Sequence, residues 1–137
     1  MRLKLILLFL IYNTSFLYAS TVDTVMIISN SMKKSIPNIV IIPDNYSTQK
    51  VGFSVLYLLH GADGNYTDWL SKVPVIKEYA DSYNIIIVCP DGGTNSWYFD
   101  SPIDIKMKYE TYISKELISI IDKKYNTLAK KTSRAIT

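Results

Sequence analysis

Cysteine is almost missing from this 137-residue sequence: Cys89 stands alone, so no internal disulfide can staple the fold. The thiol lies on a strongly apolar run with nothing nearby to depress its pKa. It reads as a small buried hydrophobe and not as a nucleophile. Histidine also occurs once, at His60, which leaves a general base a single imidazole candidate. Net charge is small as well. The formal +3 includes Arg2 and Lys4; without them 15 basic residues become 13 against 12 acidic ones, a charge of +1. Scattered lysines on a near-neutral chain give no electrostatic footprint for nucleic acid, which is excluded as a partner. Low-complexity tracts, internal repeats and linkers are absent, and the length accommodates one domain. Asp63, Asp91, Asp100 and Asp104 match no calcium-loop spacing and read as turn formers, so neither a metal nor another cofactor is expected.

The longest uncharged apolar stretch begins the chain. Arg2 and Lys4 precede Leu5-Ile6-Leu7-Leu8-Phe9-Leu10-Ile11, polar residues follow, and Ala19 offers a small residue before Ser20. The run is too short to span a bilayer, which takes about 20 residues. It reads as a secretory signal peptide over 1–19, although Leu17 is larger than usual three residues before the cut. The expected protein is therefore secreted or periplasmic, with no membrane association after cleavage and one domain over 20–137.

The rest of the chain is expected to alternate strands and helices. Thr21 to Ser29 and Ile36 to Ile42 read as strands joined by a polar turn, an antiparallel pair at a sheet edge. Phe53 to Leu59 and Asn84 to Cys89 are nearly continuous apolar runs, as in parallel strands covered on both faces. Trp69 to Tyr83 supplies a crossover helix that Pro74 opens or breaks. From Lys106 to Tyr125 the period becomes helical, with Ile113, Leu117, Ile120 and Ile121 as an apolar stripe. Lys115, Glu116, Ser119, Asp122 and Lys123 face away. Arg134-Ala135-Ile136-Thr137 begins another buried strand. The fold class is α/β, an antiparallel pair followed by a parallel β-α-β-α-β run in a mixed sheet.

Two segments carry candidate chemistry. Tyr57-Leu58-Leu59-His60-Gly61-Ala62-Asp63-Gly64 ends a buried strand in His-Gly and enters a Gly-bearing loop. Amide N–H groups left unobstructed there can stabilise a developing oxyanion; a plain strand-to-helix turn fits the same spacing. His60, at a strand end with no nucleophile beside it, reads as a loop-holding residue more readily than as a base. The second segment, Cys89-Pro90-Asp91-Gly92-Gly93-Thr94-Asn95-Ser96-Trp97-Tyr98-Phe99-Asp100-Ser101-Pro102, leaves the carboxyl end of a strand, where open α/β sheets place ligands. Its three adjacent aromatics read either as a platform for an aromatic acyl group or sugar ring, or as side chains folded back onto the helices.

These segments, with Tyr109-Glu110-Thr111, Lys115-Glu116-Leu117 and Arg134-Ala135-Ile136-Thr137, resemble in order and spacing the putative-esterase family of α/β-hydrolases. That family is esterase D-like and feruloyl esterase-like. The resemblance runs from about Val22 to Thr137 and implies an α/β-hydrolase fold with a Ser-His-Asp mechanism. It implies that the Ala62 N–H forms one arm of an oxyanion hole. It further implies that His60 and Gly61 support this loop, that Glu110 braces the neighbouring one, and that Asn95, Ser96 and Trp97 line the substrate pocket. The family's Gly-x-Ser-x-Gly elbow occurs nowhere in the 137 residues. The expectation is thus the N-terminal half of a secreted carboxylic-ester hydrolase, truncated before the nucleophile elbow and inactive as a fragment, with nucleophile, acid and base beyond Thr137. Its substrate would be a small or polysaccharide-linked ester, feruloyl or acetyl, and its open sheet edge would offer a surface for oligomerisation. The alternative is a non-catalytic secreted module binding glycan or acyl ligands through Ser96 to Phe99.

Overall fold

The computed structural model describes residues 20–137; the expected signal peptide lies outside the described residues. Strand β1, Thr21–Ser29, pairs antiparallel with β2, Lys34–Ile42, around a tight turn in which Lys33 takes a positive φ of 54°. The burial of β1 alternates along its second half, with Val25, Ile27 and Ser29 inward and Met26 and Ile28 exposed. That is the signature of an edge strand with one wet face. β2 is instead buried from Asn38 onward and pairs antiparallel with β4, Ile85–Pro90. β3, Ser54–Tyr57, runs parallel to β4 on one side and to β5, Arg134–Ile136, on the other. The sheet order is β1-β2-β4-β3-β5.

Pro74 splits the crossover between β3 and β4. Helix α1 covers Asp68–Lys72 and α2 covers Ile76–Tyr83, and Asn84 closes α2 in the left-handed conformation (φ 53°). The second crossover packs on the other face. It starts as α3, Tyr109–Thr111, continues as a π-helical segment, Tyr112–Leu117, and ends as α4, Ile118–Lys124. A wider π turn in an otherwise α-helical stretch lets Tyr109, Tyr112, Ile113, Leu117 and Ile121 all reach the sheet, where all five are buried. None of the described helices is long and apolar enough to cross a membrane.

Two sequence expectations need correcting. Glu116 and Asp122 do not face solvent: a Glu116 carboxylate oxygen accepts from the Ser31 N–H at 2.8 Å, and Asp122 pairs with Arg134 and accepts from the Thr127 hydroxyl at 2.6 Å. Both sit beside the apolar stripe, where polar groups of β5 and the β1–β2 turn compensate them. The strand at Arg134 is not buried either. β5 lies at the sheet edge with Ala135 and Ile136 exposed, because among the described residues no further strand covers it.

Candidate active site

Two loops meet above the carboxyl ends of β3 and β4. The first follows Tyr57 and contains His60, Gly61, Ala62 and Asp63; the second follows Pro90 and runs through Ser101. They enclose a cleft of about 170 Å³ lined by His60, Gly61, Ala62 and the 93–98 stretch. The structure therefore brings Ala62, Asn95, Ser96 and Trp97 around one space. Ala62 is exposed there, and its N–H donates to no acceptor among the described residues.

His60 joins the two loops. Its ring is buried, with Nε2 2.8 Å from the Gly92 N–H and Nδ1 2.8 Å from the Gly61 carbonyl oxygen. With both ring nitrogens engaged, it is not presented to the cleft as a base. Tyr98 closes the same junction from above. Its hydroxyl accepts from the His60 N–H at 3.0 Å, approaches the His60 carbonyl at 3.4 Å, and its pKa is pushed up to about 12 by burial. A third tie is the Asp63 N–H, which points to the Thr94 carbonyl at 3.4 Å.

Glycine is needed here for close approach. A Cβ on Gly92 would stand 2.3 Å from the Tyr98 ring, so only glycine allows the ring to cross over the loop. Gly61 is different: a Cβ there would meet nothing within 4 Å. No close approach requires glycine at this position, and Gly61 contributes an exposed peptide on the cleft.

The three aromatics of the second loop do not form one platform. Trp97 is 76% exposed and Phe99 67% exposed, whereas Tyr98 turns inward onto His60 and Gly92. Trp97 and Tyr98 hold this arrangement with positive φ angles of 49° and 57°, a conformation that costs an L-residue on the order of 1–2 kcal/mol. Ser96 is buried and offsets part of that cost: its Oγ accepts from the Tyr98 N–H at 3.0 Å and its carbonyl from the Phe99 N–H at 3.0 Å.

The brace expected of Glu110 belongs to its neighbour. Asp100 accepts from the Thr111 N–H at 3.0 Å and the Thr111 hydroxyl at 2.6 Å, while Glu110 is exposed. These Thr111 hydrogen bonds hold the Asp100 carboxyl below its ordinary range. The side chain also lies at the foot of α3, where a carboxylate suits the helix start. Gly92, Asp100 and Thr111 thus join the site although none of them had a role in it from sequence alone, and Tyr98, read there as one of three like aromatics, enters it as a tie to His60. Asp100 and Thr111 are eleven residues apart, beyond any local capping pattern. Tyr98 carried one usable signal: flanking aromatics on a turn cannot all face the same way. Among the described residues no cluster of His, Cys, Asp or Glu is arranged to hold a metal. Cys89 is buried below the site, and burial pushes its thiol up to about 12.

A mixed sheet with an antiparallel entry, parallel β3, β4 and β5, helices on both faces and a loop cleft above the strand ends defines an α/β-hydrolase fold. The Putative esterase family model matches residues 29–137, and the chain belongs to that family. An esterase of Mycobacterium tuberculosis is 33% identical over 104 residues, covering 71% of this chain and 22% of the relative. An acetyl esterase of Caldicellulosiruptor saccharolyticus is 34% identical over 79 residues, covering 53% of this chain and 29% of the relative. Among solved structures, a ferulic acid esterase superposes with a TM-score of 0.74 at 30% identity over 87% of this chain and 48% of that one. An S-formylglutathione hydrolase of Staphylococcus aureus superposes with a TM-score of 0.70 at 17% identity over 85% of this chain and 46% of that one, a likeness of fold. The chain spans between about a fifth and half of the length of these relatives.

Proposed function

We propose that this chain provides the oxyanion-loop half of a secreted serine carboxylic-ester hydrolase acting on feruloyl or acetyl esters, small or polysaccharide-linked. The observation that carries this reading is the Ala62 N–H, which has no acceptor among the described residues and lies on a cleft shared with Asn95, Ser96 and Trp97. An amide on a loop held by hydrogen bonds from a second loop is preorganised. It pays little reorganisation when charge develops on a carbonyl oxygen. In this reading the Ala62 amide binds that oxygen, Ser96 shapes the pocket floor and Trp97 meets the group beyond it. The names of the ferulic acid esterase and acetyl esterase relatives support the choice of acyl groups. The basic start and apolar run of residues 1–19 support export, and the exposed edge of β5 is a surface on which copies of the chain can pair.

The 137 residues do not supply a reaction by themselves. No Gly-x-Ser-x-Gly is present, and the one imidazole is committed at both nitrogens. A serine hydroxyl without a base is a weak nucleophile, and loss of a triad costs on the order of 10⁶-fold in turnover. The test is hydrolysis of p-nitrophenyl acetate and methyl ferulate by these residues alone and by the same residues joined to the C-terminal half of a family member. Turnover is expected only in the joined protein. Comparable turnover by the short chain, abolished by Ser96→Ala, would overturn the reading.

A second reading rests on the 76% exposure of Trp97 and 67% exposure of Phe99. A loop that spends strain to present two aromatics to solvent suits a non-catalytic module binding glycan or acyl ligands. Affinity for xylan oligosaccharides or methyl ferulate that survives in the short chain and falls in Trp97→Ala would favour it over catalysis.

A further inference from the structure

We propose that Asn65 is an acceptor for an N-linked glycan, a modification site on the first cleft loop that ester chemistry does not use. The inference goes beyond the esterase reading and rests only on export of the chain, because N-glycans are added to exported proteins. Among residues 20–137 the pattern Asn-x-Ser/Thr, with x other than proline, occurs twice, at Asn45-Tyr46-Ser47 and Asn65-Tyr66-Thr67. A third occurrence, Asn13-Thr14-Ser15, falls in the expected signal peptide, outside the described residues. The pattern alone does not choose between Asn45 and Asn65. Their surroundings in the folded chain do.

Asn65 is exposed, while Tyr66 beside it packs against the aliphatic cluster under α1 and α2 and anchors the segment. The Asn65 Oδ1 accepts from the Thr67 N–H at 2.8 Å and from the Thr67 hydroxyl at 2.7 Å, and its backbone carbonyl accepts from the Asp68 N–H at 3.1 Å. Its Nδ2 has no acceptor among the described residues. Glycan transfer therefore leaves each of these bonds in place. The bond that forms joins Nδ2 to the anomeric carbon of a polyprenyl-diphosphate-linked oligosaccharide. The bond that breaks is the one from that carbon to the diphosphate oxygen, and the diphosphate leaves with the electron pair. A base on the transferase takes the displaced amide proton. Oδ1 keeps its lone pairs, so the turn that opens α1 survives. Asn65 is not among the residues lining the cleft, so the glycan does not fill it.

Asn45 differs on every one of these points. It is half-buried in a 3-10 turn, Asp44–Ser47. Its Oδ1 is buried, and its Nδ2 faces the Gln49 Oε1 at 3.5 Å. Its backbone carbonyl accepts from the Thr48 and Gln49 N–H groups at 3.0 Å each. The middle residue, Tyr46, stacks on Phe53 with ring centroids 5.4 Å apart. A transferase reaches this carboxamide only after the turn opens and the stack separates.

The test incubates the purified full chain with a single-subunit oligosaccharyltransferase and its polyprenyl-diphosphate glycan donor, and maps modified asparagines by peptide mass spectrometry. Transfer to Asn65 is expected to exceed transfer to Asn45 by on the order of tenfold or more, since Asn45 is reached only through local opening. Short synthetic peptides carrying each sequence are expected to accept glycan alike, which assigns the difference to the fold. Asn65→Gln and Thr67→Ala should each abolish the modification at 65, and Asn45→Gln should leave it unchanged. The ratio is read on the wild type, so it stands as a test even where a variant does not fold. Absence of transfer to Asn65 in the folded chain, or equal transfer to both asparagines, would overturn the proposal. Export is scored separately, from the N-terminus of the secreted chain. A chain that keeps Met1 removes the secretion reading, while the transfer ratio still decides the acceptor.

Discussion

On the face of the sheet under the 109–124 stretch, seventeen buried residues share one cluster, and four of them are tyrosines: Tyr57, Tyr109, Tyr112 and Tyr125. On the opposite face, under α1 and α2, seven residues share a cluster made of aliphatic side chains and Cys89. The difference is one of specificity as well as size. On the larger face the Tyr112 hydroxyl donates to Asn38 at 2.9 Å, Lys34 donates to the Tyr109 hydroxyl at 2.9 Å, and the Tyr125 hydroxyl donates to Asp23 at 3.2 Å. Each bond pins the 109–125 stretch to β1 or β2 at one register. The seven-residue cluster of the smaller face makes apolar contact, which is non-directional, and the helices over it are tied by partly buried side chains: the Trp69 indole N–H donates to the Leu59 carbonyl at 3.0 Å, and Asp81 accepts from the Asp44 N–H at 2.9 Å. The crossover that leads from the second site loop is therefore tied through tyrosine hydroxyls of its buried cluster, while the crossover after the first loop is tied through Trp69 and Asp81, neither of them among its fully buried residues.

The largest effect that tests this contrast is deletion of the same side chain on either face. Ile121→Ala on the larger face should cost about 4–5 kcal/mol, near the top of the range for such changes, and Ile76→Ala on the smaller face about 2–3 kcal/mol. Both side chains are almost fully buried, at 0% and 2% exposure, so the difference would report how far each surrounding can collapse. Equal shifts in urea midpoint would break the comparison.

A smaller pair of substitutions separates tethered from untethered hydroxyls. Tyr112→Phe leaves the buried Asn38 oxygen without its donor and should cost about 1–2 kcal/mol. The Tyr57 hydroxyl is buried with no partner among the described residues, so Tyr57→Phe should be neutral or stabilising by up to about 1 kcal/mol. Denaturation curves that place both variants below the wild type would remove the distinction.

The smallest effect concerns the tether that leaves the second loop. Thr111 lowers the pKa of Asp100, so the folded chain binds this proton more weakly than the unfolded chain does. The resulting stabilisation is present above the ordinary aspartate value of about 3.9 and disappears as pH falls through the lower folded value. Asp100 is solvent-screened, so the gap between wild type and Asp100→Asn should stay below about 1 kcal/mol at pH 7 and close in acid. A gap that widened as pH fell from 5 to 3 would contradict the assignment.

The strands were legible because their patterns are local. The polar turn between 21–29 and 36–42 marks an antiparallel pair at a sheet edge, and the unbroken apolar run at 85–89 marks an interior strand. Pro74 announced the break between α1 and α2 for the same reason: its missing N–H and ring act on its own turn. The site was legible only as two loops. Exposure divided Trp97 from Tyr98 where the sequence offered three like aromatics, and the brace moved by one residue, from Glu110 to Thr111. Which neighbour caps Asp100 depends on how the loop returns to α3, and no short-range pattern encodes that path.

By itself the sequence determined the order of elements, the family resemblance and the two segments that carry the chemistry, since periodicity, breakers and short motifs act within a few residues. The tertiary structure alone decided that β5 stands exposed at the sheet edge, that Glu116 and Asp122 face inward to distant partners, and that Ala62 and Trp97 line one cleft. It also decided that both nitrogens of His60 are occupied. Gly92 lies 32 residues from His60, and such a contact exists only once β3 and β4 pair in parallel and bring their carboxyl ends together.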